Sequence, residues 1–258
     1  MSFDLMLVLG GLVSGVLAGV LGIGGGSVLV PLMVSLGFTP INAIATSSLA
    51  ILLTSLSGSI QNWRMGYIDW RKISSLGLPA LLTAQLGAAI AQYIPAAWLL
   101  FGFAALMLTN IYLVGLKQRS SAIESSLPAT QRQKLLSNIF TGCSAGLVAG
   151  LVGVGGGAIL VPLQMLLLGE TIKVAIQTSL GVVFLTAVSA TLGHSINGHV
   201  LFSQGIILGI GGLLGAQFGT RYLPKIPDRI VNNLFRFTLL LISIYTFIQG
   251  ISQLTVDR

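Results

Sequence analysis

Two glycine runs hold the residues that chemistry would use. Gly22, Gly24, Gly25 and Gly26 fall within five residues and lead into Ser27; Gly153, Gly155, Gly156 and Gly157 repeat the pattern further along. Such a run ends a helix, because each glycine loses more backbone entropy on ordering than alanine does. A helix restarting behind it exposes its first N–H groups, and these, with the aligned peptide dipoles, favour an anion. Glycine has no side chain, so an oxyanion can approach those amides closely. Hydroxyls at Thr46 and Ser47, and at Thr178 and Ser179, would complete the cavity as donors. Asn62 and His194 are candidates for its mouth, and Gln85 and Gln217 for its wall. Each residue type also has a plainer use. Glycines let backbones pack, serine and threonine bond their own i−4 carbonyl, and glutamine bridges membrane helices. A lone histidine near a membrane edge is commonly structural. At this point both readings stand.

Other chemistries are excluded. No G-K-[ST] follows either glycine run, so a nucleotide-binding phosphate loop is rejected. There is no HExxH, paired acid or nucleophile motif; the expectation is no enzyme, no catalytic residue, no metal site and no cofactor. The single cysteine, Cys143, rules out an internal disulfide framework and reads as a small apolar filler. No Asp or Glu lies well inside an apolar run, so a carboxylate proton or sodium relay is missing. Arg236 reads as a snorkelling cation near the start of the last helix.

These residues need an apolar scaffold, and the chain supplies one. It is 54% hydrophobic and 7% charged over 258 residues, with no charge between Asp4 and Arg64. Mean hydropathy is +0.94. A bilayer needs ~20 apolar residues per spanning helix, so the composition is that of a multi-pass membrane protein. No basic residue precedes Arg64, so no secretory signal is expected. The net charge of +7 comes from a few clusters, read as orientation signals rather than a nucleic-acid surface.

The two glycine runs belong to a longer repeat. Gly15 to Leu32, GVLAGVLGIGGGSVLVPL, recurs 131 residues later as Gly146 to Leu163, GLVAGLVGVGGGAILVPL. Eleven of eighteen positions are identical, and six of the other seven exchange one aliphatic residue for another. Thr46-Ser47 matches Thr178-Ser179, Asn62 matches His194, and Gln85 matches Gln217. The expected plan is all-α. Repeat one covers 1–116, a polar linker 117–135, and repeat two 136–258. Each repeat has a glycine-broken hairpin and three spans. The piece after the first glycine run, Ser27 to Leu36, rises only ~15 Å, half the hydrocarbon core, and cannot span alone. Gly11, Gly15 and Gly19, with Gly142, Gly146 and Gly150, are expected to let helix backbones meet.

Lys and Arg cluster at Arg64 to Lys72, Lys117 to Lys134 and Arg221 to Arg229. The positive-inside rule puts all three in the cytoplasm. That agrees with the spans only if each glycine hairpin returns to its starting side. The two repeats then start on opposite sides and are inverted, a plan typical of secondary transporters with a site at the repeat interface. Both termini are expected outside, and the linker around Glu124 inside.

The pattern G-x-x-A-G-x-x-G-x-G-G-G-x-x-x-V-P-L, present twice and followed by A-x-x-T-S, resembles the sulfite exporter TauE/SafE family of membrane permeases over essentially the full length. The resemblance implies a bacterial-type inner-membrane protein moving small sulfur-containing or carboxylated anions. The expected function is anion permeation by alternating access, outward in direction. Its partners would be the small anion and the lipid bilayer, with no nucleic acid; a homo-oligomer stays open. The rival reading is a non-transporting membrane subunit or assembly factor, or an anion channel.

Overall fold

The computed structural model describes residues 3–120 and 131–256, and these are helical between short turns. The first half holds α1 (Phe3–Leu21), α2 (Gly26–Ser35), α3 (Pro40–Arg64), α4 (Trp70–Ala91) and α5 (Ala96–Ser120). The second holds α6 (Gln131–Val152), α7 (Gly157–Leu167), α8 (Ile172–Ile196), α9 (Phe202–Tyr222) and α10 (Asp228–Val256), with one 3₁₀ turn at Leu223–Lys225. Eight of them are long and apolar enough to cross a membrane; α2 and α7, of 10 and 11 residues, are not. Within the expected linker 117–135, α5 runs to Ser120 and α6 starts at Gln131; Glu124 lies outside the described residues. Arg236 sits eight residues into α10, not near its start, and its guanidinium approaches the backbone of Gly115.

Local chemistry sets the boundaries. Asp69 caps α4, its carboxylate accepting from the amides of Arg71 (3.1 Å) and Lys72 (3.2 Å). Pro40 opens α3, where a missing N–H costs nothing. α3 and α8 close alike. Tyr67 N–H donates to the Asn62 carbonyl, and His199 N–H donates to the His194 carbonyl, 132 residues on.

Glycine contacts set how the helices pack. Gly11 meets Leu208, Gly15 meets Gly212 and Gly19 meets Thr220, so α1 and α9 run parallel with backbones touching. Likewise Gly142 meets Leu76, Gly146 meets Ala80 and Gly150 meets Ala84, so α6 and α4 run parallel. A methyl group at any of these six glycines would collide with the neighbouring backbone, as close small-residue packing requires. α3 also runs parallel to α9: Leu49 faces Gly205 and Leu53 faces Gly209. α3 and α8 run antiparallel, Gly58 facing Leu180 and Asn62 reaching Gln177. α5 and α10 are antiparallel as well, with Phe101 on Phe247 and Gly250. Since α1 and α3 point the same way, α2 carries the chain back between them.

α3 and α8 form the centre. They are buried over 67% and 78% of their most apolar eighteen residues, against 33–44% for the other six long helices. Each half lends its first helix to the other half's third long one, so the core is shared between halves.

Candidate functional site

The two glycine turns meet at the middle of the molecule. Gly22, Gly24 and Gly25 have φ of 68°, 80° and 81°, and Gly153, Gly155 and Gly156 have 68°, 76° and 76°. An L side chain rarely adopts these angles. Gly25 and Gly156 are the N-cap residues of α2 and α7. Residues 21–27 and 152–158 are buried throughout. A side chain on Gly26 would strike the Gly153 carbonyl, and one on Gly157 would strike the Gly22 carbonyl. The turns therefore lie against each other, and broken backbone inside a membrane protein is shielded by protein, as it must be.

Hydroxyl groups satisfy two carbonyls in each turn. Ser179 donates to Gly22 O (2.9 Å), and Ser47 donates to Gly153 O (2.9 Å), a reciprocal pair across the two halves. Each also shares its proton with a carbonyl on its own helix, Ile176 or Ile44. Ser14 donates to Gly25 O (2.8 Å) and Thr186 to Gly155 O (2.9 Å). The amides fare differently. Those of Ile23 to Ser27 and of Val154 to Ala158 find no acceptor among the described residues. In each turn two carbonyls are answered by hydroxyls from neighbouring helices, while five N–H donors are unanswered among the described residues, a field that favours an anion. Ser27 adds a hydroxyl that is fully buried with no partner. It borders a groove of about 320 Å³ between α2 and α10, with Ser35 and Tyr245 further along.

The remaining candidates sit on helix contacts around the turns. Thr46 is buried and accepts from the Leu201 amide (3.0 Å); Thr178 is buried on α8. Gln217 donates to the carbonyl (3.2 Å) and hydroxyl (3.0 Å) of Ser57, joining α9 to α3. Gln85 accepts from Ser189 (3.5 Å), joining α4 to α8. Asn62 donates to Gln177 O (3.3 Å), and His194 Nε2 pairs with Gly150 O (3.0 Å). Both are fully buried, with Asn62 Oδ1 and His194 Nδ1 unpartnered. So the turns, Ser27, Ser47 and Ser179 come together, whereas Asn62, His194, Gln85 and Gln217 tie helices outside them.

A model of the family described as sulfite exporter TauE/SafE matches residues 7–246. The chain belongs to the sulfite exporter TauE/SafE family. Relatives of this TauE/SafE protein carry the name probable membrane transporter protein. YunE of Bacillus subtilis is 27% identical, covering 97% of this chain and 99% of its own. YdhB of the same organism is 26% identical over 85% and 90%. A Xylella fastidiosa protein is 28% identical over 92% and 91%. With eight apolar long helices, this TauE/SafE chain is a multi-pass membrane transporter.

Sequence reasoning missed four hydroxyls of the TauE/SafE core: Ser14, Ser57, Thr186 and Ser189. Ser57 and Ser189 had a usable signal, the same 132-residue offset that links Thr46 to Thr178 and Gln85 to Gln217. Ser14 had none, because its counterpart is Ala145, whose own carbonyl lies against Gly156.

Proposed function

We propose that this transporter moves a small anion, sulfur-containing or carboxylated, by alternating access between two inverted repeats, with the paired glycine turns as its site. The opposite courses of α3 and α8, and of α5 and α10, support the inverted plan, since these are matching helices of the two halves. One observation carries the anion reading: unanswered amides on both turns, beside carbonyls already bonded to Ser47, Ser179, Ser14 and Thr186. The free donors outnumber the free carbonyls at each turn, which suits an oxyanion better than a cation. In this reading the turns are pressed together in the closed form, and parting of the halves admits substrate. Gly22, Gly24, Gly25, Gly26 and Ser27 line one face, and Gly153, Gly155, Gly156 and Gly157 the other. Ser47 and Ser179, which span the interface, are released as donors when it opens. In the open forms Thr46 and Thr178 add hydroxyl donors, Asn62 and His194 line the mouth, and Gln85 and Gln217 join the wall.

The name printed for the family makes sulfite the first anion to try. The decisive experiment is thermal unfolding of purified protein with sulfite, thiosulfate, sulfonates and small carboxylates. At a hundredfold excess over Kd, a true ligand stabilises by about 2.7 kcal/mol, several degrees in unfolding temperature. No shift from any of these anions would take small sulfur-containing and carboxylated anions out of the reading.

A further inference from the structure

We propose that the protein carries a specific anionic-phospholipid site, with one acyl chain in an apolar groove beside the α3–α4 turn and the headgroup phosphate on Arg64 and Arg71. The groove holds about 450 Å³ and is walled by Ile60, Trp63, Ile68, Trp70, Leu78 and Phe184. Its lining is apolar apart from Ser59 and Ser74, so it suits hydrocarbon better than a polar solute. Trp63 and Trp70 are 63% and 65% exposed at its rim, one ending α3 and the other opening α4. Tryptophan at helix ends marks the headgroup level of a bilayer, so the groove begins there and extends toward the hydrocarbon.

Charge decides the headgroup. Arg64 follows Trp63 in sequence and Arg71 follows Trp70; both are exposed and neither has an ion-pair partner among the described residues. The other charges of this turn are engaged. Asp69 receives the Arg71 and Lys72 amides, and Lys72 pairs with Glu170. Two exposed guanidiniums without ion pairs, each next in sequence to a tryptophan of the groove rim, match a phosphate that carries hydrocarbon.

The other half of the molecule sharpens the case. The turn at 195–201 has the same backbone bonds, yet Ser195 and Ile196 stand for Trp63 and Arg64, and Phe202 and Ser203 for Trp70 and Arg71. The chain repeats its architecture here and drops the basic pair and both tryptophans together; the positive-inside rule accounts for the missing arginines on this outer turn but not for the missing tryptophans.

The test is binding of dioleoyl phosphatidylglycerol and dioleoyl phosphatidylcholine to purified full-length protein, read by native mass spectrometry. One phosphatidylglycerol should bind saturably and phosphatidylcholine should not. Each surface arginine contributes roughly fivefold to such an association, so R64Q/R71Q should bind about 25-fold more weakly. S74W, at an exposed position lining the groove, should abolish saturable binding while the unfolding temperature holds. R221Q/R229Q, equally basic and exposed elsewhere, should bind as the parent does. Equal loss in R221Q/R229Q would reduce the effect to general surface charge, and retained binding in S74W would remove the chain from the groove. Competition by glycerol 3-phosphate alone would make the ligand a free phosphate. A doubling of mass on lipid removal would show that a second copy covers the groove.

Discussion

At the scale of single residues, the core assigns hydroxyls two different tasks. Ser47 and Ser179 bond carbonyls, and replacing either by alanine leaves a buried acceptor unanswered, at a cost of about 1–3 kcal/mol. Ser27 bonds nothing, though it is fully buried in the first turn of α2. Ser27→Ala should therefore leave stability unchanged or slightly raised. If the turn holds an anion, the same change removes a hydrogen bond to a charged group, about 1.5–3 kcal/mol, and weakens substrate affinity about tenfold or more. Unfolding and liposome flux, measured on the same preparation, separate the two effects. Unaltered transport by S27A would take this hydroxyl out of the site. The counterpart of Ser27 is Ala158, so the two turns are chemically unequal despite their matching backbones.

At the scale of elements, the broken helices were the most legible part of the sequence. Four glycines in five residues predicted the break, and α2 begins at Gly26, one residue before the expected Ser27, with α7 beginning at the matching Gly157. The close packing predicted for Gly11, Gly15 and Gly19 is present, but their partner was not readable. Small-residue spacing specifies a face and says nothing of which helix fills it; α9 does so because its own Gly211, Gly212, Gly215 and Gly219 allow contact. The wiring of the candidate site was less legible still. A hydroxyl forms either a bond to its own helix or one across an interface, and only folded geometry brings Ser179 to Gly22. The turns should be intolerant of side chains for two separable reasons. Gly37→Ala meets open space at φ 90° and should cost only the conformational penalty, about 1–2 kcal/mol. Gly156→Ala has a similar angle, 76°, but also drives its methyl group into the Ala145 carbonyl. It should unfold at markedly lower temperature than G37A, as detergent-solubilised thermal melts would reveal; equal melts would mean the turns are loosely held.

At the scale of the whole molecule, topology and driving force can be tested together. With three basic clusters inside, both termini should face outside. Cysteines placed at Arg132 and Ser252, in a background lacking Cys143, should label from opposite sides of the membrane; labelling from one side only would end the inverted plan. Among the described residues no acid lies beyond the first turn of a spanning helix. Outward anion movement needs none, since an interior-negative potential supplies ~2.3 kcal/mol per 100 mV, sustaining roughly a 50-fold gradient of a monovalent anion. Protein in liposomes under a potassium-diffusion potential should therefore move its anion without a proton or sodium gradient. Flux that follows a proton gradient and ignores the potential would overturn this account.

The pairing of α1 with α9 has a further consequence during biosynthesis. Ribosomes add about 5–20 residues per second, so roughly 10–40 seconds separate the appearance of Leu21 from that of Phe202. Throughout that interval the glycine face of α1 rests against lipid or a chaperone, its native neighbour not yet made. The half-built chain is a membrane helix with a sticky, unfilled seam, open to strangers and to proteases. A stop codon before Phe202 would leave that seam unfilled for good, and quality control in the membrane would meet it as a misfolded protein rather than as half a transporter.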